Sequence, residues 1–176
     1  MSDIAIMTDS NCGIMPGCEP CPDIHIIPMP VLIDGETFYE GKSITADSFY
    51  RQLASDAAVS TSLPSPGDVM DMWTSLLRDY REVVYIPMSS GLSTSCASAL
   101  ALASDGDFGG RVHVVDNHRI SVTQTQSVLD ACALAEEGKT GRQIKEQLER
   151  EALDASIYIA VDTLKYLKRG GRITPA

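Results

Sequence analysis

Short apolar runs alternate along this chain with longer stretches of helix-compatible periodicity, and that alternation restricts the fold more than any other feature. Ile4–Thr8, Ile24–Ile33, Val83–Met88, Val112–Asp116 and Ile157–Val161 read as strands. Thr45–Ala54, Pro66–Tyr80, Ser93–Ala103, Thr123–Glu137, Thr140–Leu153 and Asp162–Lys168 read as helices. Strand and helix in alternation is the pattern of a three-layer α/β/α domain with a mainly parallel sheet. Local chemistry supports the boundaries. Thr45, Ser65 before Pro66, and Thr140 three residues ahead of Gln143 are each placed to satisfy the orphan N–H groups of a helix start. Asp34-Gly35 supplies the positive φ of a hairpin turn, after which Phe38 and Tyr39 return along an edge. Gly138 reads as the C-cap of the long fourth helix, and Gly106–Gly110 as a loop.

With 176 residues, 44% of them apolar, the chain has material for one good core and a fragment of another. Residues 1–153 are expected to form the N-terminal α/β domain. Ile157–Val161, followed by Leu164, Tyr166 and Leu167, needs something to pack on, so 154–176 is read as the beginning of a second α/β domain. The charge balance, 24 acidic against 14 basic side chains and a net −10, has no basic block longer than Lys168-Arg169. Phosphate-backbone binding needs a concentrated positive face, so no nucleic-acid partner is expected. No apolar run approaches the roughly 20 residues of a membrane span, and the first residues lack a leader pattern, which gives the expectation of a cytoplasmic protein without stable membrane insertion. Five cysteines, an odd number, argue for reduced thiols over a disulfide framework. Cys18-Glu19-Pro20-Cys21, with Cys12 upstream, has no second pair to complete a zinc site, and no metal is expected.

Two polar loops carry the strongest chemical signal. Ser89-Ser90-Gly91-Leu92-Ser93-Thr94-Ser95 leaves a strand and enters a helix of small residues, which places hydroxyls and free backbone N–H groups at the positive end of a helix dipole. That arrangement suits an anion or a carboxylate, and ligands in open parallel sheets favour the carboxyl ends of strands; capping alone would also explain the serines. Val59–Gly67 offers Ser60, Thr61 and Ser62 in a segment stiffened by Pro64 and Pro66, with a cap and linker as its plainer reading. Neither loop has the spacing of a P-loop or a dinucleotide fingerprint, and Met88-Ser89-Ser90-Gly91 is not a Gly-x-Ser-x-Gly elbow. His25 and His113 read as sheet residues and His118 as a loop residue. Asp9-Ser10 reads as a turn cap that also suits a cleft wall.

Taken in order, Thr8-Asp9-Ser10, Ile27-Pro28-Met29-Pro30-Val31, Asp34-Gly35, Tyr39-Glu40-Gly41, Thr61-Ser62-Leu63-Pro64-Ser65-Pro66-Gly67, Ser89-Ser90-Gly91-Leu92-Ser93, Val115-Asp116 and Val161–Ile173 resemble the DegV family. The resemblance implies two α/β domains and a non-enzymatic lipid-binding protein that holds a long-chain fatty acid in an apolar tunnel. It places the carboxylate on Thr61 and Ser93, with Ser62 and Thr94 as further ligand-binding candidates, and implies no cofactor beyond the bound fatty acid. It also implies a partner, a dihydroxyacetone-kinase-like fatty acid kinase that phosphorylates the carboxyl group. By charge and position alone, Arg169 and Arg172 are candidate contacts for the phosphate or that partner, with favourable capping of a helix end as their plainer reading. Two positions depart from the family pattern: Leu63 replaces a glutamine, and Thr94-Ser95 stands where Gly-Thr is usual. The rival reading is dihydroxyacetone-kinase-like phosphotransfer, or a small polar ligand held by the same loops.

Overall fold

The computed structural model describes residues 3–173 apart from 16, 56, 105 and 172. Four parallel strands, β1 (Ile4–Asp9), β2 (Ile24–Ile27), β6 (Glu82–Ile86) and β7 (Val112–Val114), form the central sheet in the order β2-β1-β6-β7. Between β2 and β6 the chain builds β3 (Pro30–Ile33), β4 (Glu36–Tyr39), α1 (Ala46–Ala54), β5 (Val59–Thr61) and α2 (Pro66–Asp79). After β6 come α3 (Ser95–Ala103), and after β7 come α4 (Val122–Glu136), α5 (Gly141–Arg150) and α6 (Lys165–Arg169).

Side chains alternate across a strand, and β1 divides its residues between two cores accordingly. Ile4 and Ile6 pack with Val84 and Ile86 of β6 beneath Val128, Ala131, Ile144 and Leu148 of α4 and α5. Ala5 and Met7 face the other way, with Val83 and Tyr85, against Val69, Trp73 and Leu76 of α2 and Cys96 and Ala99 of α3. Helices thus cover both faces of a parallel sheet, as the alternation of strand and helix implied. Trp73 is the largest buried side chain and meets Phe108 and Tyr85 edge-on, with ring centroids 5.2 and 6.1 Å away.

The single strand expected over Ile24–Ile33 is two strands in two sheets. Pro28 and Pro30 have no N–H to donate to a ladder, so the parallel sheet ends at Ile27 and a second, antiparallel sheet starts with Pro30 as the first residue of β3. Its order is β4-β3-β5; Asp34 and Gly35 form the β3–β4 turn with φ of 50° and 87°, and β5 is a strand that a polar stretch concealed. The strand expected over Ile157–Val161 is absent. That stretch has no regular structure and pairs with no strand among the described residues, and Tyr158 and Ile159 are exposed. Apolar, β-branched composition does not hold a strand without a ladder partner.

The local boundary chemistry appears where it was expected. Thr45, Ser65 and Thr140 accept from Ser48, Asp68 and Gln143 N–H, and Thr140 with Gln143 completes a capping box. Gly138, at φ 82°, closes α4, while Lys139 N–H returns to the Leu134 carbonyl. The helix expected from Ser93 starts at Ser95, because the Ser93 hydroxyl accepts the Ser95 N–H at 3.1 Å and holds the preceding turn out of the helix.

Candidate functional site

The connection leaving β1 runs to β2 on one side of the sheet, and the path leaving β6 runs to β7 on the other. The crevice between their carboxyl ends is therefore a topological switch point, the place where open parallel sheets take ligands. A cleft of about 790 Å³ opens there, inside the roughly 300–1,000 Å³ usual for small-molecule sites. Asn11 enters it from beyond β1, and Met88 and Ser90–Thr94 from beyond β6. The small sheet and α1 close the other side. Val31 of β3, Thr61 of β5 with Ser62 and Leu63 behind it, and Phe49 and Tyr50 of α1 all face the same space.

The two hydroxyl loops singled out in the sequence thus meet in one cleft, although they belong to different sheets. Thr61, Ser62, Ser93 and Thr94 all line it. Thr61 is positioned by the β3–β5 ladder, where it lies opposite Val31, and Ser62 N–H continues that ladder to the Pro30 carbonyl. Ser93 is half-buried and sits at the entrance to α3. Its hydroxyl is 2.8 Å from Ser95 Oγ, and a turn in which Leu92 and Ser93 N–H both bond the Ser89 carbonyl fixes the loop. Thr94 has φ −80° and ψ 0°, an ordinary right-handed backbone, so this loop closes without a glycine at that position. Leu63 adds an apolar side chain to the wall.

Sequence reading named the polar half of the cleft and missed its apolar half. Met29, Val31, Ile44, Phe49, Leu63, Met88 and Leu92 reach it from separate segments, and only the sheet switch at Pro28–Pro30 brings them together. Among the described lining residues none is Lys or Arg, and the one carboxylate, Glu40, accepts a hydrogen bond from Ser10 Oγ at 2.6 Å. An anion here would therefore be met by hydroxyls, backbone N–H groups and the dipole of α3.

Behind the cleft stands a buried polar brace. Asp9 Oδ2 accepts Met88 N–H at 2.7 Å, while Oδ1 accepts from Asn11 N–H and from the Asn11 and Gln124 side-chain amides. Burial pushes the Asp9 carboxyl above its ordinary 3.8, and those hydrogen bonds oppose the rise. Gln124 also reaches Thr8 Oγ1 and the Ile86 carbonyl, so α4 ties β1 to β6 under the site.

One arrangement resembles a hydrolytic relay and is not one. Ser90 Oγ lies 3.1 Å from His118 Nδ1, and Asp116 Oδ1 lies 3.6 Å from the same nitrogen. A Ser-His-acid relay needs the serine and the acid on opposite ring nitrogens. Cys96, in the first turn of α3, is buried; burial first and the Asp116 carboxylate second push its thiol up to about 12, so it packs as a neutral side chain. His25 and His113 lie on β2 and β7, as expected of sheet residues; His25 Nε2 is 3.3 Å from Tyr80 Oη and His113 Nε2 is 3.6 Å from Glu82 Oε2. Among the described residues no group of three or more His, Cys, Asp or Glu is placed to hold a metal ion, and no helix is long and apolar enough to cross a membrane. Arg172 lies outside the described residues, and Arg169 falls in α6.

Comparison with known proteins agrees with this architecture. Residues 3–176 match a family model described as "Uncharacterised protein, DegV family". A DegV domain-containing protein of Deinococcus radiodurans is 33% identical over 171 residues, covering 97% of this chain and 60% of the relative. The chain superposes with a TM-score of 0.85 and 31% identity on a DegV family protein from Thermus thermophilus described for its fatty acid binding, covering 98% of this chain and 61% of that one. A stearic acid-binding protein from Eubacterium ventriosum superposes at 0.82 with 30% identity, covering 96% of this chain and 60% of that one. The chain thus spans about three-fifths of the length of these relatives. A family match over residues 3–176, together with a solved relative that superposes at a TM-score of 0.85, makes this chain a member of the DegV family.

Proposed function

We propose that this protein binds a long-chain fatty acid, with the acyl chain against the apolar wall of the strand-end cleft and the carboxylate on the Thr61 and Ser93 hydroxyls. One observation carries the reading: two hydroxyl loops from different sheets converge on a single cleft whose other walls are Met29, Val31, Ile44, Phe49 and Leu92. Burying each methylene contributes about 0.8 kcal/mol, so an acyl chain supplies affinity that a small polar ligand lacks. Ser62 and Thr94 extend the donor set. The fatty acids held by the Thermus thermophilus and Eubacterium ventriosum proteins support the same ligand class here.

The role is that of a cytoplasmic carrier, without chemistry of its own. The Ser90–His118–Asp116 geometry supports this, since it activates no hydroxyl. By family resemblance, the carrier presents its acid to a dihydroxyacetone-kinase-like fatty acid kinase. Residues 154–176 are taken as the opening of a second α/β domain that completes the tunnel.

Native mass spectrometry of protein purified without added lipid, followed by denaturation and analysis of the released fraction, tests the binding reading. A stoichiometric long-chain acid, lost in the Thr61→Ala, Ser93→Ala double variant, is the expected result. Protein that is empty and takes up no added fatty acid would transfer the assignment to a small polar ligand or to phosphotransfer.

A further inference from the structure

On the far side of the sheet from α2 and α3, three of the five cysteines gather in one core: Cys12 and Cys132 are buried in it and Cys21 packs against it. The Cys21 and Cys132 sulfurs lie 2.8 Å apart, although 111 residues separate them in sequence. Reaching the ~2.04 Å of an S–S bond requires a further approach of roughly 0.8 Å. Cys132 is anchored on α4, while Cys21 belongs to the loop between Gly13 and β2, outside any regular element. Cys21 also lines a second cleft, of about 750 Å³, bordered by Asp3, Asp23, Arg81 and Lys139, so a small polar oxidant has a route to its sulfur.

We propose that Cys21 and Cys132 are an oxidisable dithiol, a modification site that a hydroperoxide converts to a disulfide. Cys21, reached through the second cleft, attacks the peroxide as its thiolate. An S–O bond forms, the O–O bond breaks, and the departing oxygen takes a proton to leave as water or an alcohol. The Cys132 thiol then gives up its proton and attacks Cys21 Sγ; the S–S bond forms, the S–O bond breaks and a water leaves. Two thiols and one hydrogen peroxide become one disulfide and two waters, with two electrons passing to the peroxide. Cys132 holds its proton well above the ordinary thiol value, through burial first and its contact with Cys21 second, so it is the donor to Cys21 at rest and must pass that proton to the departing oxygen as it attacks. Cys18, exposed three residues before Cys21, is the competing partner.

The test treats the full chain with a small molar excess of hydrogen peroxide, alkylates the remaining thiols and maps tryptic peptides without reductant. Fragment 1–42 joined to fragment 120–139, with two thiols lost, is the expected product, because Cys132 is the single cysteine of the second fragment. The link persists in Cys18→Ser and is abolished in Cys21→Ser. In oxidised Cys18→Ser, closing so long a loop raises Tm by roughly 5–10 °C. Retention of all five thiols, a link confined to fragment 1–42, or oxidation at Cys18 alone each overturns the proposal.

Discussion

Asp9 and Met88 are 79 residues apart in sequence, yet the Asp9 carboxylate accepts the Met88 backbone N–H at 2.7 Å. That bond ties the end of β1 to the turn from which the Ser89–Ser93 loop departs, so the hydroxyls at the cleft inherit their position from a carboxylate that water does not reach. Asp9→Ala leaves the buried Met88 N–H without an acceptor and takes the shared acceptor from the Asn11 N–H and side-chain amide, whereas Gln124 keeps Thr8 Oγ1 and the Ile86 carbonyl. A loss of roughly 2–4 kcal/mol in urea unfolding is expected, from about 1–3 kcal/mol for each stranded buried group. An Asp9→Ala protein with the wild-type midpoint would show that the brace does not hold the site.

Removing a cleft hydroxyl tests the carboxylate assignment without touching the core. Thr61→Val preserves shape and the β3–β5 ladder, and Ser93→Ala removes one oxygen. A hydrogen bond to a charged group is worth about 1.5–3 kcal/mol, so each change weakens fatty-acid affinity by roughly 10–100-fold. Displacement of a fluorescent fatty acid measures it, with circular dichroism to confirm that α3 survives loss of the Ser93 turn. If both variants bind as tightly as wild type, the carboxylate lies elsewhere in the cleft.

What the sequence made legible was local. Thr45, Ser65 and Thr140 announced helix starts because a cap acts within three residues, and the hydroxyl density of Thr61-Ser62 and Ser89–Ser95 marked the two polar loops that line the cleft. Pairing partners were not legible. Ile24–Ile33 looked like one apolar strand, and only the partners available to Ile27 and Pro30, β1 on one side and β4 and β5 on the other, divide it. Val59–Thr61 is too short and polar to declare itself, yet Leu32 and Val31 give it a ladder. The apolar wall stayed hidden for the same reason, since Met29, Ile44, Phe49 and Leu92 share no periodicity and become neighbours only after the small sheet forms.

Two histidines set the response to mild acid. Burial, the largest influence on each, holds His25 and His113 below the ordinary 6.5, against the pull of Asp23 and Glu19 on the first and of Glu82 on the second. Both are freer to take a proton in the unfolded chain, so stability present above about pH 6.5 is lost as pH falls toward their native values. Asp9, raised above 3.8, has the opposite slope and is not the source of such a loss. The urea midpoint is expected to fall between pH 7.5 and 5.5 at constant ionic strength, and His25→Gln with His113→Gln should flatten most of that fall. An equal fall in the double variant would place the titration on other groups.

Gly141 opens α5 at the point where that helix meets the edge of the parallel sheet, and its N–H donates to Glu82 Oε2. A Cβ at this position would collide with His113 Cδ2 and come within 2.7 Å of Glu82 Oε2. Both neighbours are partly buried side chains on β6 and β7, so relief requires them to turn away or α5 to shift outward. Gly141→Ala is therefore expected to destabilise by about 1–3 kcal/mol, the usual range for overpacking, although alanine is the better helix former. The cause can be isolated by a double-mutant cycle. In a His113→Ala background the ring that meets the new methyl is gone, and the cost of Gly141→Ala should fall by roughly half or more, since residues in contact do not add. The same cost in both backgrounds would mean that the Glu82 hydrogen bond to the α5 N-terminus, and not the packing of His113, requires glycine at 141.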